Sequence, residues 1–293
     1  FKGSPLGHNI LGTAEQVRAF KTEDALRFTR KLYRPDNAIF FAYGDIDFKK
    51  LVKLIGRALA DDESGKLAGE GCHADFADDA DFSGNEGFSE ARDSEITQIS
   101  QDAMDSGDSP AGQTIVMQKN THQAHVMIGT RAYDVNDDRR MPLYLLNNML
   151  GGPGMNAKLN LALREHNGLV YTVESTMVAY GDTGTWSIYF GCDEHDVKRC
   201  LRLVRKELDK FMQKPLSDAQ LKAAKKQIKG QIGVACDNRE NFALDFGKSF
   251  LHYGWEKNVD RLYEQVDAIT AAQIQAVAQE LFDKDRLTTL IFK

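Results

Sequence analysis

No run in this sequence approaches the roughly 18 apolar residues that a membrane helix needs, so no segment is read as spanning a bilayer. The charged-then-apolar opening of a secretory signal is also missing, although the chain starts on Phe1 rather than methionine, which leaves an upstream start and export open. Cysteine is scarce. Cys72, Cys192, Cys200 and Cys236 are far apart with no C-x-x-C among them, a pattern that fits reduced thiols inside a cell better than a disulfide framework. On that ground a cytoplasmic location is favoured over secretion, without being assigned. Positive charge is in deficit: the formal net charge is −6, which argues against nucleic acid or an anionic membrane surface as the main partner.

Several catalytic signatures are missing too. The seven histidines, His8, His73, His122, His125, His166, His195 and His252, form neither H-x-x-E-H nor H-E-x-x-H. His122 and His125 lie three apart on an expected strand and so face opposite ways, which prevents one ion from taking both. Cys192-x-x-His195 is a remote structural-zinc pattern, outweighed by its reading as the start of a helix. There is no G-x-S-x-G to seat a nucleophilic serine. Gly151-Gly152-Pro153-Gly154 lacks the Lys-Ser/Thr of a phosphate loop and reads as a turn after a helix. No metal ligand set is assigned to this chain.

What remains is an ordinary globular composition, 42% apolar and 27% charged over 293 residues, enough for one large domain or two. Residues 1–13, rich in Gly and Pro, read as a loop. A helix starting near Thr22 with a stripe of Ala25, Phe28 and Leu32 is expected to end before Pro35. Residues 38–43 form a short apolar run expected as a buried strand, and Leu51, Leu54, Ile55 and Leu59 mark another helix. One strand cannot satisfy its own backbone, so the first 60 residues are expected to belong to a domain whose remainder is missing. Between 61 and 108, fifteen Asp or Glu face only Lys66 and Arg92, with little periodicity. This is expected to be a solvated acidic linker over 61–112; the spacing of a calcium loop is not present.

A second domain is expected over 113–293. Strands are read at 114–119 and 125–132, a helix at 140–150, a hairpin around Gly181-Asp182-Thr183-Gly184, and an amphipathic helix on Val197, Cys200, Leu201, Val204, Leu208 and Phe211. Ser217 and Gln220 form a capping box for the next helix. Phe242, Phe246 and Phe250, four apart, mark another that stops at Gly254. The end of the chain repeats its beginning: residues 32–40 match 281–289 at a constant offset of 249, each after a helix and before a strand. Two copies of one unit imply homologous α+β domains, each with a mainly antiparallel sheet flanked by helices, the first truncated.

The most informative stretch is 156–171. Asn156 is expected to cap a helix that carries Leu159, Ala162 and Leu163 on one face and Arg164 off it, beside Asn160. Gly168 offers the left-handed turn that ends the helix, and 169–173 is β-branched and aromatic enough to start a strand bearing Tyr171. Residues 159–171, LNLALREHNGLVY, resemble the R-x6-Y segment of the inverted zinc peptidases, the insulinase, pitrilysin and mitochondrial-processing-peptidase kin. Met149-Leu150-Gly151-Gly152 and Asp182-Thr183-Gly184 resemble its flanks, while Asn156-Ala157-Lys158-Leu159 stands where that family usually has Ser-Ser-Arg-Leu.

The resemblance implies a C-terminal portion of a zinc-dependent metallopeptidase: residues 1–60 end a zinc-type domain whose ligand-bearing part is absent, and 113–293 bind substrate. It implies that Tyr171 is catalytic, donating its hydroxyl to the scissile carbonyl, and that Arg164 holds a neighbouring substrate carbonyl. The implied partners are a peptide substrate and a zinc-bearing half or partner chain, with a homo-oligomer left open and neither nucleic acid nor membrane expected. Zinc is implied for the intact enzyme and not for this chain, which is expected to be inactive alone. A non-catalytic subunit of the same fold, and a peptide-binding module, are the alternatives.

Overall fold

A computed structural model describes residues 5–63, 112–119, 121–255 and 258–293. The expected acidic linker falls almost wholly outside these residues. In chain order the helices are α1 (Ala14–Ala19), α2 (Thr22–Leu32), α3 (Phe48–Glu63), α4 (Arg140–Gly151), α5 (Val197–Gln213), α6 (Asp218–Asp237), α7 (Arg239–Tyr253), α8 (Val259–Ala268) and α9 (Ala271–Leu281). The strands are β1 (Thr114–Met117), β2 (Ala124–Ala132), β3 (Val170–Ala179), β4 (Gly184–Cys192) and β5 (Thr288–Phe292). The fold is α+β. Among the described residues no helix is long and apolar enough to cross a membrane.

The chain divides into two units. The larger holds β1 to β5, α4 to α6, α8 and α9. Its sheet runs β1-β5-β2-β4-β3, parallel between β1 and β5 and antiparallel elsewhere. Strict alternation along β4 buries Trp186, Ile188, Phe190 and Cys192, and β2 adds Val126 and Ile128 from the same face. That face is covered by Leu143, Leu146 and Leu150 of α4, by Cys200, Val204 and Leu208 of α5, and by Ile274, Val277 and Leu281 of α9. Burying a Leu- or Ile-sized side chain contributes about 1.5–3 kcal/mol, so this single core accounts for most of the unit's cohesion.

Local signals set the ends of these elements. Ser217 N–H donates to Gln220 Oε1 (2.9 Å) and Gln220 N–H to Ser217 Oγ (3.3 Å), the reciprocal box expected from the sequence. Thr270 and Gln273 form the same pair ahead of α9. Gly151 closes α4 against β3: a Cβ there would lie 2.5 Å from the Ser175 amide nitrogen, so only glycine allows the helix this close to the strand.

The smaller unit contains α1 to α3, α7 and the segment between α2 and α3. None of its described side chains is buried. Phe41 lies 4.9 Å from Phe246, and Tyr43 5.9 Å from Phe242, centroid to centroid, so the phenylalanine stripe of α7 packs on 41–43 within this unit. The strand expected over 38–43 does not form among the described residues, because no neighbouring strand offers it a ladder. Its counterpart shows what is lacking. Displaced by the offset of 249, α2 coincides with α9, both eleven residues long, and 39–43 falls on β5, which is paired on both sides by β1 and β2.

Candidate functional site

The chain reaches Arg164 and Tyr171 through three departures from regular structure. The first is at Asn156, which does not cap a helix as expected. Its amide pairs instead with Gln227, Asn156 Nδ2 donating to Gln227 Oε1 (2.9 Å) and Gln227 Nε2 to Asn156 Oδ1 (3.3 Å). After one α-type step at Lys158–Leu159 the chain widens into a π-helix over Asn160–Glu165, with His166 N–H donating to the Leu161 carbonyl (3.0 Å). Such insertions are uncommon and recur at functional sites. The wider winding separates Asn160 from Arg164, which an α-helix would have set side by side: Asn160 is buried and ties back to the Met155 carbonyl (2.8 Å), while Arg164 faces out.

The second departure is Gly168, at φ +61°, the left-handed turn read from the sequence. The Asn167 side chain secures it, donating to the Ala162 carbonyl (2.8 Å) and accepting from Arg199 Nη2 (2.8 Å). The third is a β-bulge. Val170 pairs with Cys192 and Val173 with Phe190, so Tyr171 and Thr172 occupy an extra position in β3. A bulge re-aims the side chain it carries. Tyr171 is 81% exposed, which rules out a core role for its ring.

The two groups meet. The Arg164 guanidinium carbon lies 5.8 Å from the centre of the Tyr171 ring, within cation–π range. The other contact found for the Arg164 guanidinium among the described residues is a long one, Nε to Glu165 Oε1 at 3.8 Å. A phenol hydroxyl and a fork of guanidinium donors therefore stand in solvent at one junction, without strong partners. That arrangement can donate to two carbonyl oxygens of an extended peptide.

Four residues along β3 from Tyr171, Ser175 belongs to a polar cluster whose contacts sequence reading did not find. Asn147 Oδ1 accepts from Ser175 Oγ (2.5 Å) and from Trp186 Nε1 (3.1 Å), and Asn147 Nδ2 donates to the Ser175 carbonyl (3.0 Å). Its only sequence signal was a polar residue inside the apolar stripe of α4. At the far end of the unit, Glu280 accepts from Tyr133 (2.8 Å), Arg139 (3.0 Å) and Arg286 (3.3 Å). Burial, together with the hydrogen bond to Glu280, pushes the Tyr133 phenol well above its ordinary value, so this is a structural clasp rather than an acid poised for catalysis.

His73 and Cys72 lie outside the described residues; among those described, the residues weighed as zinc ligands do not assemble a catalytic site. Cys192 is buried against Cys200, whose thiol hydrogen-bonds to it and holds it below the usual thiol range, and His195 is exposed. His122 is exposed, and His125 Nδ1 sits 2.8 Å from the Tyr189 hydroxyl on the open face of the sheet. Among the described residues one group, Asp193, His195 and Asp196, brings three ligating atoms within 4.8 Å of one another. It occupies a single exposed turn, with two carboxylates and one imidazole. Hydrolytic zinc is held by His-rich sets in a water-excluding cleft beside a general base, so this donor set does not fit that metal.

A family profile described as "Peptidase M16 inactive domain" matches residues 19–228. The chain belongs to this family. An uncharacterised zinc protease of Streptomyces coelicolor is 28% identical over 284 residues, covering 97% of this M16 chain and 56% of that protein. The mitochondrial-processing peptidase subunit beta of Blastocladiella emersonii is 24% identical over 294 residues, again 97% and 56%. The chain thus spans a little over half the length of these relatives. In structure it resembles a protease from Helicobacter pylori, with a TM-score of 0.70 at 17% identity over 97% of this chain and 62% of that one, a likeness of fold alone. This M16 chain is accordingly an inactive-type domain among zinc-protease relatives, which agrees with the lack of a zinc motif in its sequence.

Proposed function

We propose that this chain is the C-terminal portion of a zinc-dependent peptidase, in which residues 1–60 end the metal-bearing domain, 61–112 link, and the larger unit within 113–293 holds the substrate peptide. Arg164 and Tyr171 are the groups that do so. The observation that carries the reading is their meeting, exposed and without strong partners, at a π-helix, left-handed turn and bulge within one short segment. The unladdered segment at 38–43 and the lack of buried side chains among the smaller unit's described residues support a metal-bearing domain completed by residues outside this chain. Zinc held there, outside this chain, would supply polarisation of the scissile carbonyl and activation of water. Tyr171 donates to the carbonyl oxygen as negative charge builds on it, and Arg164 donates to a second peptide carbonyl, fixing register.

Arg164 acts on the bound peptide before and during the reaction, so its loss falls mainly on binding. Arg164→Ala in the intact enzyme is expected to raise KM about tenfold, a loss of about 1.4 kcal/mol, with kcat nearly unchanged. Steady-state kinetics on a fluorogenic peptide measures this; an unchanged KM removes Arg164 from substrate contact.

A second reading has one observation in its favour: a relative named as a subunit, the mitochondrial-processing peptidase beta chain, aligns over 97% of this sequence. In that reading the zinc is carried by a separate polypeptide. The mass of the active species distinguishes the two: one polypeptide bearing H-x-x-E-H supports the first, and an obligatory complex of two chains the second.

A further inference from the structure

Away from Arg164 and Tyr171, the larger unit contains a cavity of about 630 Å³, within the size range of small-molecule sites. It lies beside the α5–α6 corner, where the helix ends at Gln213, Lys214 turns extended, and after Pro215 the Ser217 box starts α6. Phe211, Leu216, Ala224, Met149 and Ala157 are among its lining and form its apolar floor. The Asn156–Gln227 amide pair forms part of the wall.

The charges around it are unbalanced. Glu207 is buried and is paired by Lys210 at 2.6 Å. Lys158 and Lys214 also line the cavity, are exposed, and have no carboxylate partner among the described residues. Two unpaired ammonium groups above an apolar floor favour a ligand with a charged head and an apolar body. The apolar lining gives a small dianion such as phosphate nothing to offset its desolvation, so a single charge joined to an apolar body fits better.

We propose that this cavity binds a small amphipathic monoanion, an aliphatic or aromatic monocarboxylate, with its carboxylate on Lys158 and Lys214 and its apolar body on Phe211, Leu216 and Met149. The site is independent of the peptidase reading. It has a structural link to Arg164 nonetheless, because residues 156–158 both wall the cavity and lead into the π-helix that carries the guanidinium.

The test is titration of the full chain with decanoate, held below its micelle concentration, by calorimetry. Decanol and inorganic phosphate serve as controls for the apolar body alone and for the charge alone. Saturable one-to-one binding of decanoate is expected, at least tenfold weaker for decanol and absent for phosphate. The double variant Lys158→Ala/Lys214→Ala alters only exposed side chains and is expected to weaken decanoate binding at least tenfold, with an unchanged far-ultraviolet spectrum. Ala224→Leu, which fills the floor, is expected to abolish it. Three results would overturn the proposal: no saturable binding, decanoate binding indifferent to the lysine pair, or phosphate binding that depends on those lysines as strongly.

Discussion

Tyr171→Phe in the intact zinc-bearing protein is expected to lower kcat by about 100- to 1000-fold while leaving KM within about twofold. The reasoning starts from exposure. The phenol ring is held in solvent by a bulge and buries almost nothing, so removing one oxygen leaves the fold and the resting surface nearly unchanged. In the proposed role, what is lost is a donor to an oxygen whose charge grows only as the carbonyl is attacked. Removing such a donor costs about 2.7–4 kcal/mol in the transition state and little in the ground state. Steady-state kinetics at saturating peptide, beside a thermal melt matching the parent protein, measures the effect. A kcat within a few-fold of the parent would remove Tyr171 from the chemistry and leave it as a peptide contact.

Asn147→Leu is expected to cost about 3 kcal/mol of stability. Leucine is close in size, so packing changes little; the loss comes from two stranded partners. Trp186 is fully buried, and its indole N–H and the Ser175 hydroxyl both donate to the one Asn147 oxygen. Each buried donor left unsatisfied costs about 1–3 kcal/mol. Urea denaturation followed by tryptophan fluorescence should show a lower midpoint with an unchanged slope. Ser175→Ala should lose less, since it removes one donor together with its need for a partner. A midpoint unmoved by Asn147→Leu would show that water replaces the amide.

The larger unit was legible where periodicity and punctuation sufficed. The hairpin of β3 and β4, the apolar stripe of α5, the Ser217 box and the left-handed Gly168 all follow from short-range rules, and the structure has each in place. The finer geometry of the Arg164 junction was not legible. A π-helix differs from an α-helix by one residue of winding, which apolar spacing over six residues cannot register. The bulge at Tyr171 depends on how β3 aligns with β4, and Asn156 looked like a cap because its true partner, Gln227, lies 71 positions away. The Asn147 cluster likewise joins three distant segments. At 38–43 composition described a strand correctly as apolar and β-prone, but a ladder needs neighbours, and the described residues of that unit provide none.

At the centre of this account, the chain contributes a guanidinium and a phenol to peptide hydrolysis and leaves the metal to other residues. The most direct test is to purify the 293-residue chain alone, incubate it with zinc, and measure bound metal by elemental analysis together with cleavage of a fluorogenic peptide. Well under one zinc per chain and no chelator-sensitive cleavage is the expected result. One tightly held zinc per chain, with peptide cleavage that a chelator abolishes and zinc restores, would contradict it.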